Sequence, residues 1–377
     1  MSETIPETIP ETMTAVLLTG HGGFDRLRLK QDVPVPIPDP DEVLIRVLAC
    51  GINNTDINTR IGWYSKSVTT QTCDGAEKGI EALEDEDGSW SGEPLDFPLI
   101  QGADICGVIV RVGKKVNPAR TGERVIVSAM QPAPSSTPSS TPSSTIGTCI
   151  TLGSEINGGF AQYMSTRSNT AYKVDSDWTD VELASIPCAW STAENLLHRS
   201  RVTCQDKILI TGASGGVGSA AIQLAKRRGA HVTAIAGSAK AKQVLTLGAD
   251  TVIPRGDDLV RSLGSETMDV VLDLVAGPQW PQLLAVLRRG GRYAVSGAIA
   301  GPMVELDVRT LYLKDLTFMG CTFQDPRVFE NLVSYIESNE IRPIVARTYP
   351  MDDIVQAQTD FLAKKHIGKL VLIPPTV

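Results

Sequence analysis

From residue 207 onward, short apolar runs alternate with amphipathic stretches of about ten residues. KILITGA (207–213), HVTAIAG (231–237), TVIP (251–254), MDVVLDLVAG (268–277) and GRYAVSGAI (291–299) read as strands. Between them, SAAIQLAKRR, KAKQVLTLG and QWPQLLAVLRRG read as helices. Strands alternating with helices of about ten residues predict βαβ units on a parallel sheet. Residues 13–175 have another texture. TAVLLTG, EVLIRVLACGI, ICGVIVRVG and ERVIVSAM are short, rich in Val, Ile and Gly, and separated by turn signals such as Pro38-Asp39-Pro40-Asp41 and Asn117-Pro118. That texture predicts an irregular β domain. A final helix, VFENLVSYIESNEI, and a final strand, GKLVLIP, are expected to return to it.

Three stretches break the pattern. ETIPETIPET (3–12) and PAPSSTPSSTPSST (132–145) carry too little apolar surface to offset ordering entropy, so both are expected to be disordered. Residues 74–96 hold nine acids against the single Lys78, the mark of a solvated insertion or of a lid.

A net charge of −8 argues against an electrostatic grip on nucleic acid or on an anionic membrane. No run approaches the ~18 apolar residues of a membrane helix, and the polar, acidic first residues fit no presequence. Seven scattered cysteines without a CxxC fit neither a disulfide framework nor a compact zinc knuckle. A reduced, cytoplasmic setting is the expectation.

The chemistry concentrates in Thr211-Gly212-Ala213-Ser214-Gly215-Gly216-Val217-Gly218, which joins a predicted strand to a predicted helix. Glycines permit a tight turn and let backbone N–H groups approach a pyrophosphate at the positive end of the helix. With a strand before and a helix after, the motif reads as a dinucleotide site. An NAD site wants a carboxylate at the end of the second strand, and this chain has Gly237-Ser238-Ala239-Lys240 there. A hydroxyl and a lysine attract a 2′-phosphate, so NADPH is the expected cofactor, held by Gly212, Ser214, Gly215, Gly216, Val217, Gly218, Ser238 and Lys240.

Several ordered motifs now coincide: Gly51-Ile52-Asn53-Asn54-Thr55-Asp56, Arg60-Ile61-Gly62-Trp63-Tyr64, Pro98–Gly107, Gly122-Glu123-Arg124-Val125, Gly158–Tyr163, the glycine turn and Gly368-Lys369-Leu370-Val371-Leu372. Together they resemble the medium-chain dehydrogenase/reductase superfamily, nearest its zinc-free quinone oxidoreductase branch. The resemblance implies an α/β fold: a doubly wound parallel Rossmann sheet (179–324) and a GroES-like β-rich domain split in sequence (13–178 and 325–377), after a disordered N-terminus (1–12). It also implies a cleft site between the two. Zinc enzymes of the superfamily take ligands from positions held here by Asn53, Ala103 and Cys188. Amide and methyl groups cannot complete a Cys₂His site, so no metal is expected. By the same resemblance Thr192 lies against the nicotinamide, and Ser296 and Gly297 hold its carboxamide.

Without a Lewis acid, hydride addition to a conjugated carbonyl or quinone needs only hydrogen-bond donors at the enolate oxygen and a proton. Asn53 and Tyr64 are the candidate donors; Asp56 reads as a structural partner, and Asn58 stands where relatives often carry a Tyr. A zinc-independent alcohol or ketone dehydrogenase and a non-catalytic, crystallin-like NADPH-binding protein are the alternatives. None of the four histidines (21, 198, 231, 366) falls in a catalytic pattern. Leu311-Tyr312-Leu313 and the strand-like Leu316–Gly320 predict a homodimer formed by sheet continuation.

Overall fold

The computed structural model describes residues 8–80, 88–132 and 149–376. Apolar runs that are buried on both faces can only be satisfied inside a covered parallel sheet. Six strands form it, buried at the centre and partly exposed at the two edges, in the order Thr251–Pro254, His231–Ala236, Lys207–Ile210, Met268–Asp273, Leu287–Val295 and Thr317–Gly320, every pairing parallel. Lys207–Ile210 starts the sheet at its middle, and the chain then builds first to one side and afterwards to the other. The reversal leaves a crevice at the carboxyl ends of the central strands. One predicted helix is shorter than its pattern. QWPQLLAVLRRG is helical only over Trp280–Val286, and Leu287 already pairs with Met268. Strand pairing takes those residues, Gly290 turns at φ 70°, and the ladder resumes at Arg292.

In the other domain Glu42–Gly51 is the central strand. Asp104–Val112 pairs along one side of it, while Tyr163–Arg167 and Lys369–Ile373 share the other. Val345–Pro350 runs parallel to Lys369–Ile373, so the end of the chain is built into this sheet. Part of the N-terminal segment expected to be disordered is ordered: Ile9 packs on the core, the Glu11 carbonyl accepts the Val35 N–H (3.0 Å), and Thr12–Leu18 pairs with Leu27–Pro34. Residues 1–7 and 133–148 lie outside the described residues. No helix among the described residues is long and apolar enough to cross a membrane.

The described parts of 74–96 are mixed: Asp74, Glu77, Lys78, Glu93 and Asp96 are exposed, as a solvated insertion requires, while a few apolar residues anchor it. Ala76 is buried, Ile80 packs with Ile57 and Ile61, and Trp90 meets Tyr64 edge-on at 5.5 Å. Arg60 explains the attachment. Its buried guanidinium donates to the carbonyls of Gly22 (2.9 Å) and Ala76 (2.6 Å) and to Gln358 Oε1 (2.9 Å). The acids at 81–87 lie outside the described residues.

Arg60 sits on the helix Asn54–Ile61, which ends at Gly62 in the left-handed region. At its start, the Asp56 carboxylate accepts the Asn53 N–H at 2.7 Å. This supports the structural role read for Asp56. The residue is fully buried, and burial pushes its carboxyl from an ordinary 3.8 to about 7, against the Asn53 hydrogen bond and the Lys369 charge. Its folded state therefore holds the proton more tightly than the unfolded chain does. That contribution to stability is complete below about pH 4 and is lost as pH rises through about 7. Asp56→Asn keeps an acceptor for the cap and removes the titration. Thermal unfolding at pH 5 and pH 7.5 should show the wild type losing stability relative to Asp56→Asn as pH rises.

Candidate functional site

The glycine turn sits where the parallel sheet reverses direction. Gly212 adopts φ 59°, and a Cβ on Gly218 would lie 2.3 Å from the Gly212 carbonyl oxygen. The strand and the helix Gly216–Arg227 thus approach as closely as glycine allows. The helix begins with no side-chain cap, leaving its first N–H groups to the crevice. This cradle, which any side chain would fill, fits the pyrophosphate of a dinucleotide. Ser214 is buried at the turn, and its carbonyl accepts the Gly368 N–H (3.2 Å) from the other domain.

At the end of the second strand Ser238 is exposed. Lys240 has a second engagement that its sequence position did not reveal. Its ammonium donates to the carbonyls of Lys364 and His366, both at 2.6 Å, and lies 3.5 Å from Ser214 Oγ. Sequence reasoning missed Arg255, which follows the neighbouring strand Thr251–Pro254. Its N–H bonds to the Ala236 carbonyl (2.8 Å), and its guanidinium reaches within 4.0 Å of where a Gly237 side chain would begin. A basic residue ending the strand beside Ser238 was the available signal. Burial and the Arg255 charge lower the Lys240 pKa; burial and the lysines 364 and 240 push His366 down to about 4. Lys240 and Arg255 make this corner electropositive, with Asp360 as a carboxylate beside His366.

At the opposite end of the crevice, Thr192 stands on the helix Pro187–Arg199 with its hydroxyl on the Cys188 carbonyl (2.7 Å). Ser296 and Gly297 follow the strand Leu287–Val295. The Ser296 N–H bonds to the Asp273 carbonyl (3.1 Å) and its Oγ to the Cys321 carbonyl (3.0 Å), while Gly297 lies against the Leu274 carbonyl.

Asn53, at the head of its helix, belongs to a buried polar cluster. Its Nδ2 donates to Asp104 Oδ2 (2.9 Å), and its Oδ1 accepts from Lys369 Nζ (2.6 Å). Lys369 also pairs with Asp104 Oδ2 (2.6 Å) and donates to the Ile52 carbonyl (2.7 Å). The second Asp104 oxygen accepts the Cys188 N–H. Tyr64 is half-buried between Trp63 and Trp90, with its hydroxyl on Thr55 Oγ1 (3.2 Å) and beside Asn58. Thr55 continues to Ser154 (3.0 Å), which takes a further bond from Thr59 (2.8 Å). Burial pushes the Tyr64 phenol to about 12, so it stays protonated at neutral pH. Lys369 was visible in sequence only as part of a closing strand. Over the cleft mouth, the Thr72 N–H reaches the Ile299 carbonyl (3.2 Å), and a cavity of about 370 Å³ opens between Gln71, Asp74, Gly277 and Ala300.

The zinc that the superfamily uses was tested against these residues, and they do not fit it. At the three ligand positions stand an amide, a methyl and a thiol, and the Lys369 ammonium already neutralises the neighbouring Asp104. Burial, with Asp104 next, drives the Cys188 thiol far above its ordinary range, so it offers no thiolate. Among the described residues, no group of three or more His, Cys, Asp or Glu side chains could hold a metal.

Two family models match in chain order: an alcohol dehydrogenase GroES-like domain over residues 39–176 and a zinc-binding dehydrogenase domain over 216–338. The quinone oxidoreductase of Lama guanicoe is 28% identical, with 96% of this chain and 97% of that protein aligned. The chloroplastic NADPH-dependent alkenal/one oxidoreductase of Arabidopsis thaliana is 26% identical over 98% of this chain and 82% of its own. A crystal structure of a provisionally assigned alcohol dehydrogenase from Sinorhizobium meliloti 1021 superposes with TM-score 0.84 at 43% identity, covering 97% of this chain and 98% of that one. Joined to the glycine cradle, the split β domain and the cleft between them, these matches show that the chain belongs to the medium-chain dehydrogenase/reductase superfamily, as a quinone oxidoreductase-like member.

Proposed function

We propose that this oxidoreductase transfers hydride from NADPH to a conjugated carbonyl or a quinone without a metal. The observation that carries the reading is the Asn53 amide, fixed between Asp104 and Lys369 where the zinc enzymes place a metal ligand. Bound in the cleft, the cofactor supplies the hydride that adds to the β-carbon or the quinone. Negative charge then gathers on the carbonyl oxygen. An amide N–H from Asn53, and the phenol of Tyr64 once it exchanges its bond to Thr55 Oγ1, are donors that stabilise such an oxyanion. Water supplies the proton that completes the reduced product. Alcohol oxidation would instead need a base or metal at the hydroxyl, and Lys369, bonded to Ile52 and Asn53 and paired with Asp104, is neither. The names of the Lama and Arabidopsis relatives support the same substrate class. Seven free thiols support a reducing, cytoplasmic setting. In steady-state assays, NADPH oxidation should occur with 1,4-benzoquinone or trans-2-hexenal and persist after treatment with a chelator. Turnover confined to saturated ketones and alcohols would favour the dehydrogenase alternative, and no turnover with any of these acceptors would favour a binding protein.

The cofactor preference rests on Ser238, Lys240 and Arg255, three groups suited to a 2′-phosphate and no carboxylate to repel one. Because Lys240 also bridges to the other domain, Arg255 gives the cleaner test. Arg255→Glu and Lys240→Glu should each raise the KM for NADPH about tenfold or more, with that for NADH changed much less. Equal losses for both cofactors would refute the assignment.

A homodimer completes the proposal. Thr317–Gly320 is the unpaired edge of the six-stranded sheet, and the adjoining helix Val308–Leu313 leaves Val308, Tyr312 and Leu313 more than half exposed. A twofold axis at that edge would cover the apolar surface and extend the ladder. Light scattering at micromolar concentration should give about twice the 40.4 kDa chain mass. Tyr312→Glu should shift that mass toward the monomer.

A further inference from the structure

We propose that Lys369 is a positioning residue, one that holds the Asn53 amide with its nitrogen rather than its oxygen available to the substrate. The inference rests on the reading of Asn53 as the carbonyl donor and explains how that role is enforced. An asparagine side chain is nearly symmetric in shape, so packing alone does not choose between its two flips. Chemistry has to. Lys369 Nζ carries only donors, and Asp104 ionised carries only acceptors. These two stand 2.6 Å apart, one against each end of the Asn53 amide: Nζ at 2.6 Å from Oδ1, and Asp104 Oδ2 at 2.9 Å from Nδ2. Turning the amide over would set an NH₂ group against an ammonium and an oxygen against a carboxylate. Both contacts would be repulsive, in a pocket where Lys369 and Asp104 are 3% and 0% exposed and water cannot relieve them.

The hydrogen count then assigns the roles. Lys369 donates to the Ile52 carbonyl and to Asn53 Oδ1, and its charge is paired with Asp104 Oδ2, so the ammonium is committed inside the cluster. Asp104 is engaged on both oxygens, by the Cys188 N–H on one and by the Asn53 amide and the Lys369 charge on the other. Of the two Asn53 Nδ2 hydrogens, one goes to Asp104, and the other makes no hydrogen bond among the described residues. That remaining N–H is the donor left over for a carbonyl oxygen. The ammonium is held in place from the opposite side: its stem passes 2.8 Å from where a Gly216 side chain would begin, and its backbone N–H bonds to the Ile344 carbonyl (2.8 Å).

Lys369→Met keeps the stem and removes the charge. Because it strands the Asp104 carboxylate, the neutral pair Lys369→Met/Asp104→Asn is made beside it and carries the test if the single variant does not fold. Two readouts are taken. First, protein labelled with ¹⁵N-asparagine is compared by NMR, the Asn53 side-chain pair being identified by its loss in Asn53→Ala. The wild type should show a strongly split pair that shifts in the lysine variants; an unchanged pair overturns the proposal. This readout holds whether or not the enzyme reduces any chosen acceptor, so it separates failure here from failure of the proposed function. Second, kcat with 1,4-benzoquinone should fall about tenfold to a hundredfold, as expected when a positioned donor is misaligned, while the NADPH dissociation constant measured by fluorescence stays within about twofold. Adding Asn53→Ala to the lysine variant should cost no further activity, since both changes remove one function. Additive losses, or weakened NADPH binding with kcat intact, would show that the lysine acts on the cofactor instead.

Discussion

A buried ion pair sets the terms for this site. Lys369 and Asp104 face each other at 2.6 Å with side chains only 4% and 0% exposed. Removing one partner from such a pair costs about 3–5 kcal/mol, because the other charge is left in a medium that cannot solvate it. The pair is therefore tolerable only as a filled network, and its neighbours fill it: Ile52 and Asn53 on the cationic side, Cys188 and Asn53 on the anionic side. Three strands and two helices converge to deliver these groups. In zinc enzymes of the superfamily a metal is the positive centre at this point. Here the positive centre is covalently part of the protein, and its charge is spent inward, on orientation.

The same convergence ties the two domains together. Lys369 lies on a strand of the β domain, yet its stem rests on Gly216 of the glycine turn, and the Gly368 N–H reaches the Ser214 carbonyl. On the other flank Lys240 crosses back to Lys364 and His366. The chain immediately before and within the closing strand thus touches the cofactor turn, the phosphate corner and the Asn53 cluster in six residues. A change at any one of the three is mechanically close to the other two.

How much of this could be read from the chain depends on the range of each signal. The parallel sheet was legible because alternation of strand and helix is local, and the glycine turn because its neighbours in sequence are its neighbours in space. The end of the helix before Leu287 was not, since pairing with Met268, a tertiary contact, overrode a continuous helical pattern. Ile9 read as part of a polar repeat, although its side chain finds the β-domain core. The acids of 74–96 masked Ala76 and Ile80, which pack on the Asn54–Ile61 helix, and Trp90, which meets Tyr64 just beyond it. Asn53 and Tyr64 stood out by resemblance. Lys369 did not, because a lysine opening a strand looks like a solvated edge residue until the fold buries it, and its partner Asn53 lies 316 positions earlier. Arg255 was hidden likewise: strand order, which no local pattern encodes, puts it beside Ser238.

That separation of 316 positions also has a meaning in time. A ribosome adding about 5–20 residues per second needs roughly 15–60 s to travel from Asn53 to Lys369. The glycine turn and its sheet are made within that interval, the last sheet strand ending at Gly320, while the Asp104 carboxylate still has no cation and the Asn53 amide nothing to settle its flip. The strand that supplies both is nearly the last to emerge. The orientation of the Asn53 amide is therefore among the last features of the cluster to be set.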